Sequence, residues 1–259
     1  MIPYRMNPLG ISMNEILPLT LTALSAGSTV TLNANGSPTV SGLHYRLGKS
    51  GTWLSYTPGS TITLAAVGDS VQFWNSAETL SSSAVNYVKF AMNGQISAKG
   101  NVQSLLNWID YCKSLCFHRL FEDCSAMVTP PDFPALTLDT SCYNRTFTGC
   151  SGLTALPYLP ASVLAVNCYY QFCNGCSSIT QAIIKGTGTL PSQSCRRMFY
   201  GCSALNRIEV NFTNWNGANN ATTEWVSGVA ASGTFIKPTA LPEEYGVDRI
   251  PTGWTVVNK

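Results

Sequence analysis

The chain has 259 residues, enough for more than one hydrophobic core, and 45% of them are hydrophobic, which excludes disorder throughout. Only 11% are charged, with 15 Lys and Arg scattered among 13 Asp and Glu, so the sequence carries no basic stripe of the kind a nucleic acid requires. Two histidines and sparse acidic residues also argue against hydrolase, transferase or metalloenzyme chemistry, which needs several ionisable groups in one pocket.

No apolar run reaches the length of a membrane span. Ile16 to Ala26 is apolar, but the residues before it carry only Arg5 and Glu15 and lack the basic start of a secretory signal. Residues 1–15 are therefore read as an N-terminal extension. Leu17–Leu24, Thr29–Leu32, Leu43–Leu47, Thr61–Ala65 and Val71–Trp74 alternate apolar with small or polar residues and are separated by Gly-, Ser- and Asn-containing turns. With a further strand over Val85–Met92 they predict a β-sandwich module spanning 16–100. Val102–Tyr111, with apolar residues at 102, 105, 106 and 109, predicts a short amphipathic helix that caps the cysteine-bearing region after it.

All ten cysteines lie between Cys112 and Cys202. Cys124, Cys150, Cys176 and Cys202 stand 26 residues apart. Phe121, Phe147, Cys173 and Phe199 precede them by three positions, and Met127, Leu153, Ile179 and Leu205 come three positions later. Eight positions earlier stand Cys116, Cys142 and Cys168, with Ser194 in the fourth unit. A unit of this length cannot bury an apolar face alone, so stacking is required, and the period predicts a leucine-rich-repeat-like solenoid of four coils over 101–212. Cysteine suits an interior ladder because it packs as a small hydrophobe. Residues 213–259 are read as a C-terminal cap, and the whole chain as mainly β with short helices.

CYYQFCNGCSSIT and CRRMFYGCSAL resemble the repeat C-Y-Y-x-M-F-x-G-C-[ST]-S-L-T of BspA-like leucine-rich-repeat surface proteins, found in gut bacteria of the Bacteroides group and in their phages. The β segment before the repeats, the connector Asn101-Val102-Gln103-Ser104-Leu105-Leu106 and the end around Trp225–Phe235 and Ile250–Val256 are similar to the same family, so the resemblance covers residues 17 to 257. Cys173 in place of Phe, Ser194 in place of Cys and the irregular Ala182–Leu190 depart from its pattern. The resemblance implies recognition at a surface, with no catalytic residue and no cofactor to carry over. The absent signal then favours a phage virion protein, made in the host cytoplasm and displayed as a head fibre, decoration or tail-associated component. Its expected partners are other virion proteins, a host surface glycan or protein, and further copies in a dimer or trimer. The alternative is an exported bacterial surface adhesin.

Candidate binding residues come from the repeat. His118 shares a column with Asn144, Tyr170 and Arg196, and the next column holds Arg119, Arg145, Gln171 and Arg197. Such a strip could grip an acidic glycan or a partner's carboxylates, or be a solvated edge whose Arg stems cover apolar surface. Tyr143, Tyr169, Tyr170 and Tyr200 add rings, either for stacking or for packing. Cys173-Asn-Gly-Cys176 has the spacing of a zinc or redox motif, but the repeat already accounts for Cys176, and structural packing is the simpler reading. A glycan-active enzyme would need a carboxylate pair across a cleft, drawn from Glu122, Asp123, Asp132 and Asp139.

Overall fold

The structure is a computed structural model that describes residues 17–38 and 40–259; the extension 1–15 lies outside the described residues. Among the described residues the chain is mainly β, with several sheets, none closed, and two 3-10 turns at Val102–Leu106 and Gly217–Asn219. Eight strands form the N-terminal region: β1 (Leu19–Ala23), β2 (Ser28–Asn35), β3 (Leu43–Leu47), β4 (Leu54–Ser55), β5 (Thr61–Leu64), β6 (Ser70–Asn75), β7 (Tyr87–Asn93) and β8 (Ile96–Lys99). Seven short strands come after them: β9 (Tyr111–Cys112), β10 (Met127–Thr129), β11 (Thr137–Leu138), β12 (Gln181–Ile184), β13 (Arg207–Val210), β14 (Thr234–Lys237) and β15 (Thr255–Asn258).

The N-terminal strands arise from simple alternation. In β2, Val30 and Leu32 are buried while Thr29, Thr31 and Asn33 lie nearer the surface, and antiparallel pairing runs to β5 on one side and β7 on the other. A second sheet has the order β10-β8-β1-β6-β3-β4. The two sheets meet where Phe73 of β6 packs edge-on against Phe90 of β7, with ring centroids 5.2 Å apart. Tyr56 fills the same core and uses its hydroxyl to accept from Leu32 N at 2.7 Å and donate to Ser60 O at 2.6 Å, so the buried phenol is satisfied.

The amphipathic helix expected over Val102–Tyr111 is a single 3-10 turn. Asn107 and Trp108 both adopt positive φ, at 51° and 62°, which ends a right-handed helix. All five residues of the turn are buried, and Ser104 Oγ donates to Phe73 O and accepts from Leu19 N, so the turn packs on β1 and β6. The turn also meets the region after it, where Val102 N donates to Asp132 O, and the preceding strands join the first repeat as well. Phe90 N donates to Leu120 O, Ile96 N donates to Ala126 O, and β8 pairs in parallel with β10.

From residue 115 the backbone adopts a pattern that is neither helix nor strand. Every second amide, at Leu115, Phe117, Arg119, Phe121 and Asp123, donates to a carbonyl 25 residues on. The intervening amides, at Cys116, His118, Leu120, Glu122 and Cys124, donate three residues back. Positive φ recurs every fourth residue, at Leu115, Arg119 and Asp123, then Ser141, Arg145 and Gly149, then Asn167, Gln171 and Gly175, then Gln193, Arg197 and Gly201. Each such rung is a string of tight turns whose residues point alternately in pairs toward the core and toward solvent. Residues 116, 117, 120 and 121 face inward and are buried. Between rungs the short parallel strands repeat the register, Tyr111 opposite Thr137 and Gln181 opposite Arg207.

The ladder continues past residue 212. Gln193, Cys195, Arg197, Phe199 and Gly201 donate to carbonyls 26 residues on, so a fifth rung over 220–228 stands after a one-residue insertion. It contains no cysteine; Ala221, Thr222, Trp225 and Val226 fill the inward positions and are buried. β13, β14 and β15 carry the parallel sheet to the end of the chain. Departures from the repeat compensate one another. Where Cys173 replaces a phenylalanine, Phe172 occupies the neighbouring inward position and packs against Phe147 at 5.2 Å, which restores the volume. One buried core runs from Leu19 to Trp254.

Candidate binding face

The inward positions are occupied by rings and thiols. Phe90, Phe121 and Phe147 stack at 5.3 and 5.4 Å with nearly parallel planes, so the N-terminal strand supplies the first member of the column. Tyr143 and Tyr169 stack at 6.0 Å, and each is only 1% exposed. Both therefore leave the set of binding candidates: the 26-residue period places 143 and 169 on the same inward side as Phe117.

The cysteines account for their own regular spacing. Cys124, Cys150, Cys176 and Cys202 donate Sγ–H to the carbonyls of Phe90, Phe121, Phe147 and Cys173, at 3.0 to 3.2 Å, so each thiol ties its rung to the one before. All ten are free and buried, and burial pushes the Cys124 and Cys195 thiols up to about 12. Cys116, Cys142 and Cys168 form a second buried column. In Cys173-Asn-Gly-Cys176 the two thiols bond in opposite directions, Cys173 forward to Met198 O and Cys176 back to Phe147 O. Among the described residues no group of three or more His, Cys, Asp or Glu is placed to hold a metal ion.

The outward positions carry the charged residues. Arg119 lies 3.4 Å from Glu122, donates to Tyr87 Oη at 3.2 Å and sits over that ring. Lys89 pairs with Asp123 at 2.7 Å. Arg197 pairs with Glu224 at 2.6 Å and lies over Tyr200, while Arg196 lies over Tyr170 and donates to Gln193. Among the described residues Arg145 and Arg196 have no carboxylate within 4.0 Å. Exposed pairs of this kind contribute about 0 to 1 kcal/mol each, so they orient side chains more than they stabilise the fold.

His118 is not a surface ligand residue as the column suggested. It is 4% exposed and its ring meets Tyr87 edge-on at 5.4 Å. Burial, and then the neighbouring Arg119 and Arg145 charges, hold its pKa down at about 4, so it is neutral at pH 7. Near it, Nε of Arg119 and Arg196 and Oδ1 of Asn144 are buried without a hydrogen-bond partner among the described residues.

Residues outside the cysteine repeat complete the face. Tyr87 and Lys89 of β7 extend it at one end, and Thr223 and Glu224 of the fifth rung extend it at the other. No periodic signal marks either group, since β7 belongs to a different sheet and the fifth rung is displaced by one residue. Of the acidic candidates, Glu122 and Asp123 are engaged in ion pairs on this face, Asp132 bridges Asn101 beside the N-terminal strands, and Asp139 is exposed. Comparison with protein-family models, with curated proteins and with solved structures finds no match to the chain.

Proposed function

We propose that the chain is a non-enzymatic surface protein of a phage particle, built as a β-sandwich module followed by a leucine-rich-repeat-like solenoid, and that it serves attachment or display. The observation that carries this reading is the outward face of the rungs. One hydrogen-bonded ladder on one continuous core presents Arg, Tyr and Asn side chains at a constant step, from Tyr87 to Glu224. A rigid row of repeated groups suits recognition of an extended or repetitive partner, since little ordering of the protein is needed on binding. The resemblance to BspA-like surface proteins points the same way. The N-terminal region would dock the protein to other virion proteins, in a dimer or trimer of closed symmetry.

Immunogold microscopy and mass spectrometry of purified phage particles, with an antibody to residues 112–212, test the assignment. Label at a fixed head or tail position is expected. Label on intact bacterial cells with none on particles would replace this reading by that of a bacterial adhesin.

A further inference from the structure

We infer that Asn93 is a site of spontaneous covalent modification, where the Gly94 amide closes on the Asn93 side chain to a succinimide whose hydrolysis leaves aspartate or isoaspartate between β7 and β8. The inference is independent of the attachment reading. The sequence holds four Asn-Gly steps, beginning at Asn35, Asn93, Asn174 and Asn216, and in each the glycine has no side chain to shield its amide. The fold sets one of them apart.

At Asn93 the reacting groups already touch. Gly94 N lies 3.0 Å from Oδ1 of Asn93, so the side-chain carbonyl is turned back onto the amide that would attack it. Asn93 is exposed, so water and hydroxide reach it. Gly94 N makes no backbone hydrogen bond among the described residues. The turn around the pair is pinned, since Leu24 N donates to Gln95 O at 2.8 Å and Gln95 N donates to Ser25 Oγ at 2.9 Å. Holding the two groups in place removes part of the entropy cost of ring closure.

The other three steps are engaged elsewhere. Gly175 N is used by the ladder, donating to Tyr200 O at 2.8 Å. Asn216 donates its side-chain amide to Leu190 O. Asn35 is half-buried at the end of β2, opposite Tyr87. The contact seen at Asn93 recurs at Asp139, where Thr140 N lies 2.6 Å from Oδ1. There a carboxylate is a poor electrophile and the β-branched threonine crowds its own amide.

The chemistry needs only water. Hydroxide takes the Gly94 amide proton, the nitrogen attacks Asn93 Cγ, the Cγ–Nδ2 bond breaks, and Nδ2 leaves as ammonia after taking a proton from water. Water then opens the ring. Opening at Cγ gives aspartate, and opening at the main-chain carbonyl gives isoaspartate, with a methylene added to the backbone. The change falls at the joint of the molecule, because β7 pairs with β2 and β8 pairs with β10 of the repeat.

The test incubates the full chain at mildly alkaline pH, folded and in urea, and follows all four steps by peptide mapping with mass spectrometry. In the folded chain Asn93 should convert at least about tenfold faster than Asn35, Asn174 or Asn216, and in urea the four should convert at similar rates. Asn93→Gln, which moves the carbonyl one carbon further from the amide, should abolish the acidic form that accumulates on isoelectric focusing. An unchanged thermal melt would show that this variant is folded. Conversion of another step as fast as Asn93 in the folded chain would overturn the inference. So would an Asn93 that reacts only in urea, or an acidic form that accumulates equally in Asn93→Gln.

Discussion

The N-terminal strands and the cysteine-bearing rungs each join neighbouring segments by a ladder of backbone hydrogen bonds, but by different backbone means. In β2 and β7 seven paired residues keep extended geometry, and residue alternation decides which side chains enter the core. In the rungs each residue pair turns, alternate amides serve the rung itself and its neighbour, and every fourth residue adopts positive φ. The comparison shows that a ladder of inter-chain hydrogen bonds does not require β-strands. It does require tolerance of left-handed backbone, which costs ordinary residues about 1 to 2 kcal/mol each. Leu115, Arg119, Ser141 and Arg145 all sit in that conformation, so the stacked rings and thiols beneath them must offset the strain.

The sharpest way to break the comparison is at the residue the two regions share. Phe90 lies in β7, is fully buried, meets Phe73 of the strands edge-on and stacks on Phe121 of the first rung. Phe90→Ala should cost about 3 to 5 kcal/mol. Guanidinium denaturation should still show one transition, since Trp53 and Trp74 on one side and Trp215 and Trp225 on the other report both ends of a single core. Two separated transitions would mean that strands and rungs fold independently.

The next largest effect concerns His118, which couples Tyr87 of the strands to the rungs. Its folded pKa of about 4 lies below the unfolded value of 6.5, so the unfolded chain binds the extra proton between those pH values. The neutral imidazole's contribution is complete above pH 6.5 and is lost as pH falls to 4, a decline of about 3 kcal/mol. Denaturant midpoints measured across that window should fall in the wild type and flatten in His118→Gln. Parallel curves for the two proteins would remove His118 as the cause.

The smallest effect compares backbones directly. Ser141 is left-handed at φ 58° in a rung, while Thr31 is extended in β2 and its hydroxyl meets that of Thr61. Ser141→Gly should leave stability unchanged or raise it by up to about 1 kcal/mol, because glycine accepts the conformation. Thr31→Gly should lower it by about 1 kcal/mol. Equal losses at both sites would contradict the strain assigned to the rungs.

Legibility in the sequence tracked the locality of the physics. Alternation over Thr61–Ala65 marks a strand that runs Thr61–Leu64 with Ile62 and Leu64 buried, because burial of one face is written every second residue. The thiols marked by the 26-residue cysteine period are buried, since stacked units must repeat their interior. The outward strip was legible only as columns. Tyr143 and Tyr169 read as surface rings because nothing in the period reports a backbone that turns every pair of residues over. The fifth rung was hidden because Ala221, Thr222 and Val226 fill the interior without cysteine after a one-residue insertion.

By itself, then, the sequence determined a mainly β chain with a periodic, thiol-lined interior, because hydrophobic alternation and repeat length are properties of the chain alone. Tertiary structure decided the rest. Which arginines are paired, why His118 is neutral, and where unmet hydrogen-bonding groups collect depend on residues brought together from β7, four rungs and Glu224. Those are properties of desolvation and distance, which exist only once the rungs have stacked.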